Sequence, residues 1–266
     1  GNLMSKGALL IATPHDEIDY IGFARLSARL IEKHLGIDTH IHIDRSDSHN
    51  IRQFRWHDEK TQTVLWKNNS RTLAYDISPF DQTLLIDVDY LTFNNNMLDY
   101  FDKDFEFLCY DKVWDVTGTD SFNADEKMTR AGFPMLWATV VYFRKCEFAY
   151  NVFETMKNIQ SNWKFFSNLW GFKSNNYRND FSLSIAHHLM DGYTQGTYFK
   201  HKLPSLSTED TIYRVKGSEL LIKYRHAHQE YNAVRIKDTN LHCMNKACLM
   251  DPEIRGELEH YELSRY

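Results

Sequence analysis

Cysteine, proline, glycine and long apolar runs are all scarce in this 266-residue sequence, which has four cysteines, five prolines and eleven glycines. The cysteines form no Cys-x-x-Cys pair, so we expect buried thiols and neither a zinc knuckle nor a disulfide scaffold; they are Cys109, Cys146, Cys243 and Cys248. No apolar run approaches the roughly 20 residues that cross a bilayer. We therefore expect a cytoplasmic protein without a membrane partner.

An excess of positive charge is also missing. The formal net charge is -5, which excludes a cationic field spread over the whole protein, so any polyanionic partner must meet a local patch. Hydrophobic residues make up 42% and charged residues 25%, which argues against disorder. With no linker-like stretch, the sequence predicts one α/β domain over residues 4–266.

The chain opens with the pattern of a strand, a helix and a second strand. Residues 8–12 are continuously apolar, as in a strand buried on both faces. Residues 18–35 have apolar positions at helical spacing and end before Gly36, and residues 39–44 alternate and are β-prone. Such a unit indicates a parallel sheet.

The later pattern continues this α/β reading. We expect a loop with short helical pieces at 46–69, a short helix at 71–75, strands at 83–86, 107–114 and 135–143, and helices at 148–159 and 180–190. The expected fold class is a mixed, mostly parallel central sheet flanked by helices.

Two aspartates end the strand at 83–86. Asp87 and Asp89 lie two residues apart, so strand alternation points both carboxylates to one side. In open α/β sheets ligands bind at the carboxyl ends of the strands, and carboxylates suit a hard divalent cation such as Mn²⁺ or Mg²⁺. The alternative is an acidic pair that merely ends a strand.

Residues 70–75, 78–81 and 84–89 resemble the core signature of GT-A glycosyltransferases, in particular that of glycogenin-like retaining enzymes. The opening unit with Tyr20 is similar too, and there is a likeness to phage-encoded members. The resemblance implies a Rossmann-like domain with a nucleotide-binding half at 4–120 and an acceptor-binding half at 121–266.

The resemblance also implies roles for particular residues. Asp89 would bind the metal, Asp87 would contact metal or ribose, and Arg71 would approach the nucleotide or the donor sugar, with a surface ion pair as the alternative for Arg71. Further contacts to a UDP-sugar donor are expected at Thr13, Tyr20, Asp44 and Val88.

A late segment is similar to the histidine and lysine motif of the same family. By this resemblance His242 would be the third protein ligand of the metal, and Lys246 would meet the diphosphate. The spacing is shorter than in the family's glycine-containing version. The alternative is a chance neighbour pair, since the chain has 13 histidines.

By the same resemblance Asp180 would lie beside acceptor and donor sugar, where a carboxylate can orient a hydroxyl, stabilise positive charge or act as a base. Alternatively Asn179 or Asp180 is the N-cap of the following helix. The family's usual Asn-x-Gly is replaced by residues 137–139, Trp-Ala-Thr, which leaves the donor sugar open.

Two further segments combine aromatic and basic side chains. Residues 163–178 interleave aromatic and basic side chains, which fits either an acceptor surface or an ordinary core with solvated lysines. Residues 223–226, Lys-Tyr-Arg-His, add local positive charge, and we interpret them as a solvated face.

The sequence thus predicts a metal-dependent transferase that uses a nucleotide-sugar. Hydroxymethylcytosine in phage DNA is one acceptor under consideration, which would place the protein in the host cytoplasm; retention or inversion and the oligomeric state stay open. One alternative is a nucleotidyltransferase, although residues 13–16, Thr-Pro-His-Asp, are not its usual glycine-rich first loop. Another is a non-catalytic phage interaction protein with a degenerate transferase fold.

Overall fold

The computed structural model describes residues 3–45, 50–55, 61–66, 70–119, 134–172, 176–192, 198–225 and 230–264, with the backbone alone considered for 50–55 and 61–66. Within these ranges no helix combines the length and the apolar character that a membrane crossing requires. All four cysteines are free, and three of them are buried as predicted: Cys109, Cys243 and Cys248.

The described residues begin with a strand, a helix and a second strand, and most of the other helices lie in the second half of the chain. The strands are β1 (Lys6–Ala12), β2 (Asp38–Ile43), β3 (Asn50–Arg55), β4 (Thr61–Trp66), β5 (Gln82–Ile86), β6 (Tyr90–Leu91), β7 (Phe107–Tyr110), β8 (Val113–Asp115), β9 (Trp137–Arg144), β10 (Leu203–Leu206), β11 (Thr211–Lys216), β12 (Glu219–Arg225), β13 (Tyr231–Lys237) and β14 (Leu241–Cys243). The helices are α1 (Tyr20–Leu35), α2 (Ala74–Ile77), α3 (Glu147–Ser161), α4 (Trp163–Leu169), α5 (Asn179–Met190), α6 (Lys246–Met250) and α7 (Pro252–Leu263), with 3₁₀ turns at Ser70–Leu73 and Asn96–Tyr100.

The central sheet has the strand order β2-β1-β5-β9-β7. Strands β2, β1 and β5 are parallel, β9 is antiparallel to β5, and β7 is antiparallel to β9. Four of these five strands therefore run in one direction. The predicted fold class, a mixed and mostly parallel sheet flanked by helices, is confirmed.

Both faces of this sheet are covered. Leu10 and Leu84 belong to the hydrophobic cluster that includes α1, whereas Leu9 and Leu85 belong to the cluster that includes α3 and α5. Successive side chains of a strand point to opposite faces, so a strand buried on both faces must be apolar at every position. This explains the continuous apolar runs at residues 8–12 of β1 and 84–86 of β5.

Helix α1 is fixed at both ends. The Asp19 carboxylate accepts a hydrogen bond from the Gly22 amide at 3.0 Å, and Gly36 ends the helix in the left-handed conformation with φ of 60°. In the middle, the Ser27 hydroxyl donates to the Tyr90 carbonyl at 2.8 Å. The helix is thereby anchored beside the turn that follows β5.

Two sequence predictions are wrong in detail. Residues 46–69, predicted to be a loop, contain β3 and β4 in antiparallel pairing, and the rest of that segment lies outside the described residues. The β-branched and aromatic residues of β4 favour a strand once a partner strand is available. Residues 107–114, predicted to be one strand, form β7 and β8, which break at Asp111 and pair in different sheets.

A second sheet brings the C-terminal part of the chain to the turn after β5. Its order is β6-β14-β10-β8, and β14 pairs with β6 so that His242 lies opposite Tyr90. The Cys243 amide donates to the Asp89 carbonyl at 2.9 Å. The strands β11, β12 and β13 form a separate antiparallel sheet between β10 and β14 in the chain, a region for which the sequence predicted no strands.

Candidate functional site

The two aspartates lie in a turn at the carboxyl end of β5. The strand ends at Ile86, the Asp87 amide donates to the Thr139 carbonyl at 2.9 Å, and the Tyr90 amide donates to the Asp87 carbonyl at 3.1 Å. The prediction that strand alternation aligns the carboxylates is therefore wrong, because the residues have left the strand. The turn nevertheless brings both carboxylates to one place.

Three side chains that could ligate a metal converge at this turn. The Nε2 atom of His242 lies 3.3 Å from Asp89 Oδ1 and 3.9 Å from Asp87 Oδ2, and one ligand atom from each residue lies within 4.8 Å of the others. An octahedral ion with bonds of about 2.1 Å separates adjacent ligand atoms by about 3 Å and opposite ones by about 4 Å. With small adjustments, this set of one nitrogen and two oxygens fits one divalent cation.

Each carboxylate uses its other oxygen to bind a cationic side chain. Arg71 Nη1 lies 2.7 Å from Asp87 Oδ1, and Lys246 Nζ lies 3.1 Å from Asp89 Oδ2. Lys246 begins helix α6, whose N-cap Asn245 accepts from the Ala247 amide at 3.2 Å. The outer oxygens are thus held in place, and the inner oxygens face His242.

Arg71 is buried, with 4% of its surface exposed. Its Nη2 donates to the Ala138 carbonyl and, at 3.2 Å, to the Thr139 carbonyl. The ion pair with Asp87 is therefore internal, whereas the alternative interpretation placed it at the surface. The guanidinium is enclosed by protein acceptors on β9 and the turn.

Burial and charge act in opposite directions on the site's pKa values. Burial raises the pKa of Asp87, and Arg71 only partly opposes this rise. Burial also disfavours the charged form of Asp89, but Lys246 and His242 outweigh it and lower the pKa of Asp89. Burial favours neutral His242, but the charge and hydrogen bond of Asp89 raise its pKa. A cation between these groups would favour both ionised carboxylates and neutral imidazole.

Tyr20 lies at the start of α1 within electrostatic reach of the site. Burial raises the pKa of its phenol, Lys246 opposes the rise, and the charges of Asp89 and Asp87 add to it. The ring also meets the edge of His15, with centroids 5.8 Å apart. The N-terminal residues of α1 are thereby placed near the carboxylate pair.

The other residues predicted to contact the UDP-sugar lie in different environments. Thr13 is buried directly after β1, and Asp44 is buried directly after β2, where it accepts a hydrogen bond from the Ser70 hydroxyl. Val88 lies between the two aspartates and packs into the main hydrophobic cluster. Thr13 and Asp44 thus follow neighbouring strands at the carboxyl edge of the sheet, while the side chain of Val88 is part of the core.

Asp180 connects α5 to β9. The N-cap of α5 is Arg178, so the alternative that Asn179 or Asp180 caps the helix is wrong. Asp180 Oδ1 accepts from the Ala138 amide at 2.8 Å, and Oδ2 accepts from Arg178 Nη2 at 2.7 Å. Its charge contributes to raising the pKa of Asp87. The role of Asp180 toward an acceptor stays a prediction.

Thr139 is a site residue that the sequence reading did not single out. Its hydroxyl lies 3.4 Å from His242 Nδ1, and its carbonyl accepts from both Asp87 and Arg71. The only signal in the sequence was its place in the Trp-Ala-Thr segment, where the resemblance leads one to expect Asn-x-Gly. Thr139 thus contacts the histidine on the side opposite its Nε2 atom.

Replacing Thr139 with valine is expected to weaken Mn²⁺ binding about tenfold, because the partner of a ligating imidazole fixes its orientation. Mn²⁺ affinity is measured by isothermal titration calorimetry. The matched control is Thr211→Val, an exposed threonine on β11. Equal Mn²⁺ affinities in the wild type and both variants would contradict the idea that Thr139 orients His242.

The aromatic stretch at 163–178 is largely core. The Trp163 ring is buried, and its centroid lies 5.2 Å from Phe172, 5.7 Å from Tyr177 and 5.9 Å from Phe181. Phe165 is an exception and is 62% exposed. Residues 173–175 of this stretch, including Lys173, lie outside the described residues. The core interpretation therefore accounts for the buried rings.

No family model matches the sequence, and no curated protein matches it. The fold is similar to solved structures of glycosyltransferases. One is an enzyme involved in glycosylation of the major capsid of PBCV-1, at 11% identity over 76% of this chain and 84% of that one, with a TM-score of 0.41. Another is GlyE of Streptococcus pneumoniae, at 12% identity over 74% and 46% of the chains, with a TM-score of 0.38.

A third structure is the catalytic domain of Drosophila β1,4-galactosyltransferase 7 in complex with xylobiose, at 15% identity over 75% and 67% of the chains, with a TM-score of 0.39. The chain spans less than half of the GlyE structure. At these identities and TM-scores the likeness assigns no function. The functional proposal is therefore based on the site.

Proposed function

We propose that this chain is a metal-dependent glycosyltransferase of the GT-A type that moves a sugar from a nucleotide-sugar, a UDP-sugar in the first instance, to a hydroxyl acceptor. One observation carries the proposal. The inner oxygens of Asp87 and Asp89 meet His242 Nε2, while Arg71 and Lys246 bind the outer oxygens. This arrangement lies at the carboxyl end of a parallel strand, where open α/β sheets bind ligands.

The residues present fit a resident Mn²⁺ ion, since two carboxylates and one imidazole form a mixed oxygen and nitrogen donor set. When bound, the ion neutralises charge on the diphosphate leaving group as a Lewis acid. Asp87, Asp89 and His242 would hold it. Mg²⁺ is the alternative metal, and the imidazole ligand is the reason for preferring Mn²⁺.

Lys246 and Arg71 have different roles in this proposal. The Lys246 side chain is 27% exposed, so its ammonium can donate to a phosphate oxygen as well as to Asp89. The Arg71 side chain is only 4% exposed and already donates to Asp87 and two carbonyls. We therefore assign Arg71 to positioning Asp87, which refines the expectation of a direct donor contact.

Asp180 is proposed to act near the acceptor hydroxyl, supported by its hydrogen bond from the Ala138 amide, since the Ala138 and Thr139 carbonyls bind Arg71 beside Asp87. Because its two oxygens already accept hydrogen bonds from Ala138 and Arg178, orientation of the hydroxyl is favoured over proton removal. Product stereochemistry decides between retention and inversion. DNA containing hydroxymethylcytosine is one acceptor to test, beside polysaccharide, protein and small hydroxyl compounds.

Metal removal tests the proposal directly. A UDP-sugar with Mn²⁺ is expected to raise the melting temperature by about 5 °C or more at saturating ligand, because ligand binds only the folded state. Without an acceptor, the enzyme is expected to hydrolyse the UDP-sugar slowly, with water in place of the acceptor. EDTA is expected to abolish both the thermal shift and this hydrolysis. The measurement is thermal shift over a panel of UDP-, GDP- and CMP-sugars, each with Mn²⁺, Mg²⁺ or EDTA.

Adding nucleoside triphosphates with sugar phosphates to this panel separates the alternatives. Release of pyrophosphate from a nucleoside triphosphate and a sugar phosphate would indicate a nucleotidyltransferase. Absence of any nucleotide-sugar binding or turnover, with the protein folded, would favour a non-catalytic interaction protein. Either outcome would overturn the transferase proposal.

A further inference from the structure

The antiparallel sheet of β11, β12 and β13 has one buried face and one open face. Its buried side chains join the main core together with Ile254 and Leu258 of α7; they are Ile212, Val215, Leu220, Ile222 and Ile236. Because side chains alternate along a strand, the intervening residues point away from α7. This sheet is therefore half covered, with a regular outer face.

The open face gathers positive charge from all three strands. Its cationic side chains are Arg214, Lys216, Lys223, Arg225, Arg235 and Lys237, all exposed. The strand register places Arg214, Leu221 and Arg235 in one row and Lys216, Glu219 and Lys237 in the next. On these strands Glu219 is the acidic member of the open face, and it lies 3.3 Å from Arg235. Six cations against one carboxylate contrast with the chain's net charge of -5.

Two tyrosines stand on the same face beside the cations. Tyr213 is 57% exposed and Tyr231 is 60% exposed. The ammonium of Lys223 lies 5.8 Å from the Tyr213 ring centroid and 4.5 Å from that of Tyr231, and the guanidinium of Arg225 lies 5.6 Å from the Tyr231 ring. The register shifts between Ile212 and Arg214, so Tyr213 is the extra residue of a bulge. The rings thus flank Lys223 and expose much of their surface.

Among polyanions, single-stranded nucleic acid fits this combination of cations and exposed rings best. Cations bind phosphates, and exposed rings stack on bases whose faces are free, as they are in single strands but not inside a duplex. An acidic protein partner would use the charges without needing the rings. An anionic membrane surface would attract the cations in the same way, but its headgroups offer no flat rings on which the two tyrosines could stack.

We propose that the open face of β11, β12 and β13 binds single-stranded nucleic acid, with Tyr213 and Tyr231 stacking on bases and the surrounding lysines and arginines meeting the phosphates. The proposal stands on this surface alone and does not require the transferase function.

Fluorescence anisotropy with labelled oligo-dT and oligo-rU tests the proposal. The assay contains EDTA and no nucleotide-sugar, so its result is independent of transfer activity. We expect binding that weakens steeply as salt rises. Charge reversal in Lys223→Glu with Arg225→Glu, and ring removal in Tyr213→Ala with Tyr231→Ala, are each expected to lower affinity about tenfold or more.

Matched controls lie on other surfaces. Lys103→Glu removes an exposed cation from the loop before β7, and Tyr150→Ala removes a 45% exposed tyrosine from α3. These variants are expected to bind like wild type. All altered side chains on the sheet are exposed, so the substitutions are expected to leave the melting temperature unchanged. Measuring it verifies that each variant is folded.

Several outcomes would overturn the proposal. These are no binding to either oligonucleotide, equal losses in the controls, or tighter binding of duplex DNA, heparin or anionic phospholipid vesicles than of single strands. The two oligonucleotides distinguish DNA from RNA as the source. Loss of binding here with intact nucleotide-sugar turnover would reject this surface while leaving the proposed function standing.

Discussion

Asparagine at position 89 is expected to reduce sugar transfer and donor hydrolysis about a thousandfold, equivalent to about 4 kcal/mol of transition-state stabilisation. Asp89 has two tasks that an amide performs poorly. Its Oδ1 atom faces His242 Nε2 at 3.3 Å, and its Oδ2 atom holds Lys246 Nζ at 3.1 Å. Without the negative charge, the metal loses a ligand and the ammonium loses its partner.

Mn²⁺ titration calorimetry and steady-state turnover check this result together. Asp111→Asn serves as the control, because Asp111 also follows a strand of the central sheet but lies outside the ligand cluster. The control is expected to keep its metal affinity and turnover. If Asp89→Asn kept full turnover in Mn²⁺, the metal-centred mechanism would be wrong.

The central sheet could be predicted because its signal is local. Leu9 and Leu10 face opposite clusters, as do Leu84 and Leu85, and a strand enclosed on both faces must be apolar throughout. The helix α1 was equally readable, since Gly36 terminates a regular apolar pattern. Both features depend on residues close together in the chain.

The complete site could not be read from local patterns. Lys246 and Asp89 are 157 positions apart, and the pairing of β14 with β6 brings them together. Nothing near His242 in the sequence reveals that pairing, so its place in the site was an inference from resemblance. Thr139 was missed for the same reason, since its contact with His242 spans 103 positions.

The open sheet face shows how a correct local interpretation can be incomplete. Lys223 and Arg225 are indeed exposed, as expected of a solvated face, and His226 lies outside the described residues. The register of three strands, which places Arg214 and Arg235 on the same face, is a long-range property. A sequence window around Lys223 contains only part of that charge.

Replacing Arg71 with methionine is expected to lower the free energy of unfolding by about 3–5 kcal/mol in metal-free protein. Methionine fills much of the same space but leaves Asp87 without its counter-charge and removes the guanidinium donor from the Ala138 carbonyl, while the Thr139 carbonyl keeps its bond from the Asp87 amide. Arg71 is enclosed and the Asp87 side chain is 30% exposed, so the variant leaves a largely desolvated carboxylate without a cation, which is a costly defect in a folded protein. Urea unfolding monitored by circular dichroism measures the change.

Mn²⁺ is expected to restore a large part of this loss, because a divalent cation beside Asp87 supplies the missing positive charge, so the variant should gain more stability from the ion than wild type does. Arg235→Met is the matched control. Arg235 is 72% exposed and pairs at 3.3 Å with Glu219, which is 35% exposed, so its loss should cost less than about 1 kcal/mol and show no added response to Mn²⁺. A loss in Arg71→Met that Mn²⁺ leaves unchanged would mean that Asp87 is a structural partner of the arginine and not a metal ligand.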